Sequence, residues 1–194
     1  MNVEDDLVRA YFEANGFWVK CCKGAYENSK KSVLSIFEVL NSSNPENKQD
    51  ISFRLFSGDL TRIRSAYVCL LGWEDSFFSN ELLTSDAKLV KFLRKEVDPQ
   101  RIELSRSQMP NPAKENLLIL VVPALPKSES RSLEIYDSLR KSGVGGVLTL
   151  SSILENLLRK SSGNVDTNGS PVYHLLKILR AYGLATEPQL DIFA

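Results

Sequence analysis

The sequence predicts an α/β protein, built as a single three-layer domain with a mixed central β-sheet flanked by helices. Three observations indicate this fold. The chain has 194 residues, 43% of them hydrophobic, so one domain over residues 1–194 can bury most of its apolar surface. Apolar runs of strand length alternate with segments of helical spacing. After the apolar run Leu117–Val122 come a helix, a strand and a second helix, which predicts a parallel βαβ unit.

The first half of the chain is predicted to be rich in strands. Leu7, Val8, Tyr11 and Phe12 recur at helical spacing after Asn2, and Gly16 ends that helix. Strands are predicted over residues 17–22, 32–40, 51–56 and 66–71. The second strand is apolar enough to lie inside the sheet, whereas 51–56 alternates like a strand with one wet face. Residues 41–50 are turn formers and charges, which predicts a loop, and 59–64 predicts a short helix or turn.

The second half is predicted to alternate helices with strands. Helices are expected over residues 85–97, 130–141, 152–160 and 171–182, and strands over 117–122 and 145–150. Residues 100–114 contain two prolines and predict a loop with a short strand at 102–104. Ser152 and Glu155 have the spacing of a capping box. Pro171 at the first helical position and Gly183 as the stop frame the last helix.

Composition excludes several classes of protein. The 24 basic residues balance the 24 acidic ones, so the chain lacks the general attraction to phosphate that a basic domain has. The apolar run 117–122 is far too short to span a membrane, and the acidic start is unlike a secretory signal. We therefore expect a cytoplasmic protein without a membrane partner.

Cysteine and histidine are scarce. The three cysteines, Cys21, Cys22 and Cys69, are an odd number in a chain that needs no disulfide framework, which favours a reducing compartment. None has the paired spacing of a structural zinc site, so no metal site is predicted from them. The single histidine, His174, flanks the apolar stripe of the last helix and is interpreted as a surface residue. Histidine-based catalytic triads are thereby disfavoured.

The order of elements, together with the stretch 7–19 (LVRAYFEANGFWV), resembles the restriction-endonuclease-like superfamily, also called the PD-(D/E)xK fold. Many members have an acidic helix that leads into the first strand through a turn of this kind. The resemblance covers residues 4–125. It divides the domain into a nuclease-like core, 1–125, and an extension, 126–194, that contains a βα unit and the C-terminal helix.

The resemblance implies a catalytic signature that this chain meets only in part. Nucleases of the superfamily place an acid on the second strand and an acid-x-Lys on the third, where carboxylates hold Mg²⁺ and the lysine orients water. Here the second strand offers Glu38, whereas residues 66–71 contain neither acid nor lysine. One acid-x-Lys triplet is formed by Glu46 and Lys48 and another by Asp86 and Lys88. Two such triplets are about as many as this composition produces by chance. The motif is therefore predicted to be degenerate.

Basic residues supply a second route to nucleic acid. The basic residues near the first predicted hairpin are Lys20, Lys23, Lys30 and Lys31, and those near the next are Arg54, Arg62 and Arg64. Trp18 and Tyr26 lie nearby in sequence and could stack on bases. The alternative is that these charges mark only the solvated faces of strands.

Three functional hypotheses follow. The first is an inactive nuclease-like protein that binds DNA or RNA, or assists a partner that does, and needs no cofactor. The second is an active Mg²⁺-dependent nuclease that uses Glu38, Glu46 and Lys48. The third is an assembly module whose C-terminal helix, apolar on more than one side, pairs with a second copy or another protein.

Overall fold

The computed structural model describes residues 3–22, 34–44, 47, 50–73, 76, 78–107, 109, 116–162 and 170–186. The strands in these ranges are β1 (Trp18–Cys22), β2 (Ser35–Leu40), β3 (Ser65–Leu70), β4 (Leu117–Val122) and β5 (Gly146–Thr149). The helices are α1 (Val3–Ala14), α2 (Asn80–Leu83), α3 (Asp86–Glu96), α4 (Pro99–Ser107), α5 (Glu129–Lys141), α6 (Leu150–Lys160) and α7 (Pro171–Ala181), with a 3₁₀ turn at Asp59–Arg62.

The five strands form one mixed sheet in the order β1-β2-β3-β4-β5. The first three pair antiparallel, and β3, β4 and β5 pair parallel. The unit β4-α5-β5 is therefore the parallel βαβ unit that the sequence predicts. The mixed sheet and the α/β class are confirmed.

Helices cover both faces of the sheet. On one side, called the α1 face, α1, α6 and α7 pack with Phe37, Val68 and Ile119. On the other side, called the α3 face, α3, α4 and α5 pack with Tyr67 and Leu120. β3 and β4 alternate between these two cores and are buried on both faces. The architecture is helix, sheet, helix.

Glycines end helices where the sequence predicts. Gly16 follows α1 with φ +85°, and Gly183 follows α7 with φ +67°. Both lie in the left-handed region, which costs glycine least and favours it beyond a helix C-terminus. The turn at Gly16 brings Phe17 under α1, where its ring meets Phe12 edge-on at 5.5 Å.

The loop predicted over residues 100–114, with a strand at 102–104, is wrong over its described part. These residues begin with helix α4, whose first residue is Pro99. The Asp98 carboxylate caps this helix by accepting from the Arg101 backbone N–H at 2.8 Å. Arg101 is buried and pairs with Glu96 at 2.9 Å. Pro99 thus stands at the one helical position where proline is favoured, and the two prolines behind the loop prediction, Pro110 and Pro112, lie outside the described residues.

Two other predictions change in detail. The strand predicted over 51–56 is reduced to one bridge, in which Arg54 pairs parallel with Val147 beyond β5, at the edge far from β1. The capping box at Ser152 is wrong because Thr149 caps α6, its hydroxyl oxygen accepting from the Ser152 backbone N–H at 3.1 Å. Helix α6 consequently begins at Leu150, directly after β5.

We expect removal of the buried Glu4 carboxylate to destabilise the fold. Both oxygens of Glu4 lie 2.7 Å from the backbone nitrogen of Trp73, so they tie the start of α1 to the turn after β3. Glu4→Ala should lower the free energy of unfolding by about 2 kcal/mol, because a charged hydrogen bond is lost in a buried place. Urea unfolding followed by circular dichroism measures this.

Glu13→Ala is the matched control on the same helix. Glu13 is exposed and pairs only with Arg9, one turn away, at 2.9 Å, so its loss should cost less than about 0.5 kcal/mol. Equal losses in the two variants would contradict the role assigned to Glu4.

Candidate functional site

The first two strands leave one side of the sheet open to solvent. Trp18 and Lys20 of β1 lie opposite Leu40 and Glu38 of β2. Their side chains point to the α3 face, because Glu38 also lies opposite Tyr67, which belongs to that core. Trp18 is 75% exposed and Leu40 is 42% exposed. We call these four residues the β1–β2 platform.

The other side of the same two strands is closed. Phe37 and Val39 are fully buried against α1, and Val19 packs beside them. The platform is therefore held by a rigid core from below, while its upper side chains remain accessible. Trp18 and Leu40 lie opposite each other, so two large apolar side chains are exposed side by side on this support.

Glu38, the acid predicted for the second strand, lies within this platform. Its Oε2 is 3.7 Å from Lys20 Nζ across the β1–β2 pair. Lys20 is largely exposed and Glu38 is partly exposed, so this ion pair contributes little to stability. Its effect is local, because it offsets part of the positive charge next to Trp18.

The third strand places neither an acid nor a lysine beside Glu38. On the same face of β3, Tyr67 lies directly opposite Glu38, with Ser65 and Cys69 on either side of it. Tyr67 and Cys69 are buried in the α3-face core, and the Ser65 hydroxyl donates to the Asn116 side-chain oxygen at 3.3 Å. Burial raises the pKa of the Cys69 thiol to about 12, so the thiol stays protonated at neutral pH. None of these residues can supply the second carboxylate or the lysine of a nuclease site.

The remaining members of the predicted catalytic set, Glu46 and Lys48, lie outside the described residues. Asn47, between them, is described, and its amide oxygen accepts from the backbone N–H groups of Arg64 and Ser65 at 2.7 and 3.0 Å. Asn47 therefore stands at the start of β3. Within the described ranges, no group of three or more His, Cys, Asp or Glu side chains is placed to hold a metal ion.

The second acid-x-Lys triplet has a structural role. The Asp86 carboxylate accepts from the backbone N–H groups of Lys127 and Ser128 at 2.9 and 2.8 Å. These hydrogen bonds lower the pKa of Asp86. They join the start of α3 to the start of α5. Lys88 pairs instead with Glu81 at 3.9 Å, so the triplet forms no catalytic pair.

The predicted basic residues do not form one described surface. Lys23, Lys30 and Lys31 lie outside the described residues, as does Tyr26. Lys20 is on β1, whereas Arg54 pairs beyond β5. At the usual spacing of strands, these two are separated by about 24 Å. Lys20 and Arg54 therefore cannot belong to one small site.

The Arg62 side chain and the Arg64 backbone make local contacts. The Arg62 guanidinium donates to the Asp50 backbone carbonyl at 2.8 Å and lies 3.9 Å from the Asp50 carboxylate. The Arg64 carbonyl accepts from the Asn41 backbone N–H at 2.7 Å, which joins the ends of β2 and β3. These contacts order the loops around the sheet.

Sequence reasoning missed a second group of arginines and aromatic rings at the β5 edge. The Arg54 guanidinium lies 5.2 Å from the centre of the Phe56 ring, and Arg140 of α5 lies 4.4 Å from the centre of the Phe53 ring. Tyr136 meets Phe53 at 5.2 Å. Arg140 and Phe53 are far apart along the chain, so no local pattern could have found the pair.

An apolar cavity between α3 and α5, lined by Leu93, Val97, Val122 and Leu139, has a volume of ≈ 10 Å³, about the room of one water molecule. Trp73, Phe78 and Phe92 stack edge-on over the end of the sheet, with centroids 4.6 and 5.3 Å apart. This cluster joins the turn after β3 to helix α3.

None of the described helices is both long and apolar enough to span a bilayer.

His174 is exposed on α7, as predicted.

The three cysteines should differ sharply in reactivity towards a disulfide reagent. Cys21 is exposed, Cys22 is half-buried with its pKa raised mainly by burial, and Cys69 is fully buried with its pKa near 12. A raised pKa leaves less thiolate at pH 8. We expect Cys21 to react first, Cys22 more slowly and Cys69 only after unfolding.

Absorbance at pH 8 with and without denaturant counts the thiols, and Cys69→Ser serves as the control. Rapid native labelling of Cys69 would contradict the buried third strand.

Comparison of the chain with protein-family models, with curated proteins and with solved structures finds no match in any of the three.

Proposed function

We propose that this protein is a restriction-endonuclease-like module that binds nucleic acid through the β1–β2 platform and does not cut it. The observation that carries the proposal is the exposure of Trp18 beside Lys20 on an otherwise well-packed sheet. The fold assignment and the binding role have separate support.

The fold assignment is supported by the arrangement of the first 125 residues. An acidic helix, α1, leads through Gly16 into β1, as the resemblance implies. β1, β2 and β3 follow as an antiparallel series, and helices then lead to β4, which pairs parallel with β3. The unit of β5, α6 and α7 follows as the extension.

The binding role is supported by the chemistry of the platform. An exposed indole ring offers a flat apolar face on which a base can stack, and stacking of this kind tolerates any base sequence. A neighbouring ammonium can contact phosphate. Trp18 and Lys20 stand two residues apart on one face of β1, so both can meet one strand of nucleic acid. Since the chain has no net charge, we expect modest affinity.

The absence of cleavage is supported by the third strand. Phosphodiester hydrolysis by this superfamily needs two carboxylates that hold a divalent cation near the scissile phosphate. Beside Glu38, β3 presents Tyr67 and Cys69, both buried. A lone exposed glutamate that already faces Lys20 is a weak cation ligand.

Truncation of Trp18 should weaken binding to single-stranded DNA and RNA. Loss of one stacked base is worth about 1–3 kcal/mol, so Trp18→Ala should raise Kd by roughly tenfold in fluorescence anisotropy with labelled oligonucleotides. Lys20→Ala should raise Kd less than Trp18→Ala does. It should also reduce the slope of log Kd against log salt concentration by about one, as expected when one phosphate contact is lost.

Tyr182→Ala is the matched control, because Tyr182 is as exposed as Trp18 (77%) but lies on α7. It should bind as the unaltered protein does. No binding at low salt, or equal losses in the Trp18 and Tyr182 variants, would refute the platform as the binding surface.

Glu38→Gln should distinguish binding from catalysis. On the binding proposal, it removes the negative charge 3.7 Å from Lys20 and should tighten oligonucleotide binding by about two- to threefold, by the usual size of an exposed ion pair. Plasmid incubated with Mg²⁺ or Mn²⁺ should stay intact with every variant.

Cleavage that is abolished by Glu38→Gln, Glu46→Ala and Lys48→Ala would instead establish the nuclease hypothesis. Cleavage that survives all three would indicate a different site or a contaminant.

A further inference from the structure

Helix α7 carries an apolar row that the rest of the described structure leaves uncovered. Leu175, Ile178 and Tyr182 are 53, 41 and 77% exposed. The opposite side of the helix, with Val172 and Leu176, packs into the α1-face core. Core packing therefore explains one side of α7 and leaves the other without a role. We call the three exposed residues the α7 seam.

The spacing of the seam suits another helix. Its members are three and then four residues apart, which is the a-to-d-to-a spacing that one helix presents to a second in a coiled coil. Such a row follows the helix axis for two turns. A partner helix can place its own apolar row along it.

The charged side chains of α7, Lys177 and Arg180, are both positive. Residues 171–186 contain no aspartate or glutamate, and Lys177 is exposed on the solvent side of the seam, as is His174. No carboxylate in the described part of the chain lies within ion-pairing distance of Lys177. Arg180 is held to α6 through the Leu158 carbonyl at 2.8 Å. The open flank of α7 is therefore positive.

We propose that the α7 seam docks an acidic amphipathic helix of another protein. Acidic side chains beside the partner's apolar row would face Lys177. This attraction would speed association and fix the orientation of the partner helix along α7. A second copy of this chain fits less well, because it would bring two basic flanks together. Three apolar side chains also cover far less than the ~800 Å² per partner that a stable interface buries. A weak, charge-steered contact is expected.

A designed peptide tests this with the full-length protein. The probe is a fluorescein-labelled peptide of three heptads, with leucine at a and d and glutamate at e and g, and the matched peptide has lysine in place of glutamate. By fluorescence anisotropy, the acidic peptide should bind with Kd of about 10–100 μM and the basic peptide much more weakly. Ile178→Ser should raise the Kd of the acidic peptide by on the order of tenfold.

Charge reversal sharpens the test. Lys177→Glu should weaken binding of the acidic peptide and tighten binding of the basic peptide. Leu133→Ser, at an exposed leucine of α5, is the control and should change neither. Equal binding of both peptides, or no binding of either, would overturn the proposal.

Other occupants of the seam also have distinct outcomes. Dimerisation in light scattering that Ile178→Ser abolishes would assign the seam to a second copy. Much tighter binding of both the acidic and the basic peptide by a chain that ends at Thr186 would assign the seam to residues 187–194. Sedimentation with anionic phosphatidylserine vesicles, without peptide binding, would assign it to a lipid surface. Each of these results overturns the acidic-helix proposal.

Discussion

The structure depends on the burial of β3 and β4 on both faces. A strand that contacts two cores can carry few polar side chains, because a buried polar group without a hydrogen-bond partner lowers the stability of the folded state. Val68 and Cys69, adjacent in β3, belong to opposite cores. Helices must therefore cover both faces of the sheet at its centre. Helix α1 packs on one face, and α5, the crossover helix between β4 and β5, packs on the other.

The same constraint decides what the sheet can do chemically. A nuclease of the resembled superfamily needs an acid and a lysine on its third strand, which requires that this strand meet solvent or metal on one face. Here Tyr67 and Cys69 extend the α3-face core up to Glu38. On this face β3 therefore presents an apolar core rather than an acid and a lysine. Among the described strands, β1 and β2 carry accessible polar side chains where that core ends.

The sequence predicts well what depends on local pattern. The buried strands, the βαβ unit and the stop at Gly183 all have signals within a few residues. Helix α4 was missed because Pro110 and Pro112 favoured a loop over the whole of 100–114, whereas the start signal, Pro99 after the Asp98 cap, lies just before that range. The place of Arg54 beyond β5 depends on pairing across the fold. Similarly, alternation shows that Trp18 and Lys20 share a face, but the exposure of that face depends on distant helices.

The two proposed surfaces lie on opposite sides of the sheet. The β1–β2 platform belongs to the α3 face, whereas α7 packs against the α1 face with its seam turned outward. Occupation of one surface therefore does not block the other. Because neither surface is large or strongly charged, each contact alone would be weak. Two weak contacts joined through one rigid domain raise the effective concentration of the second. A module of this design would act by bringing an acidic helical partner to nucleic acid, a role that needs no catalytic group in the sheet.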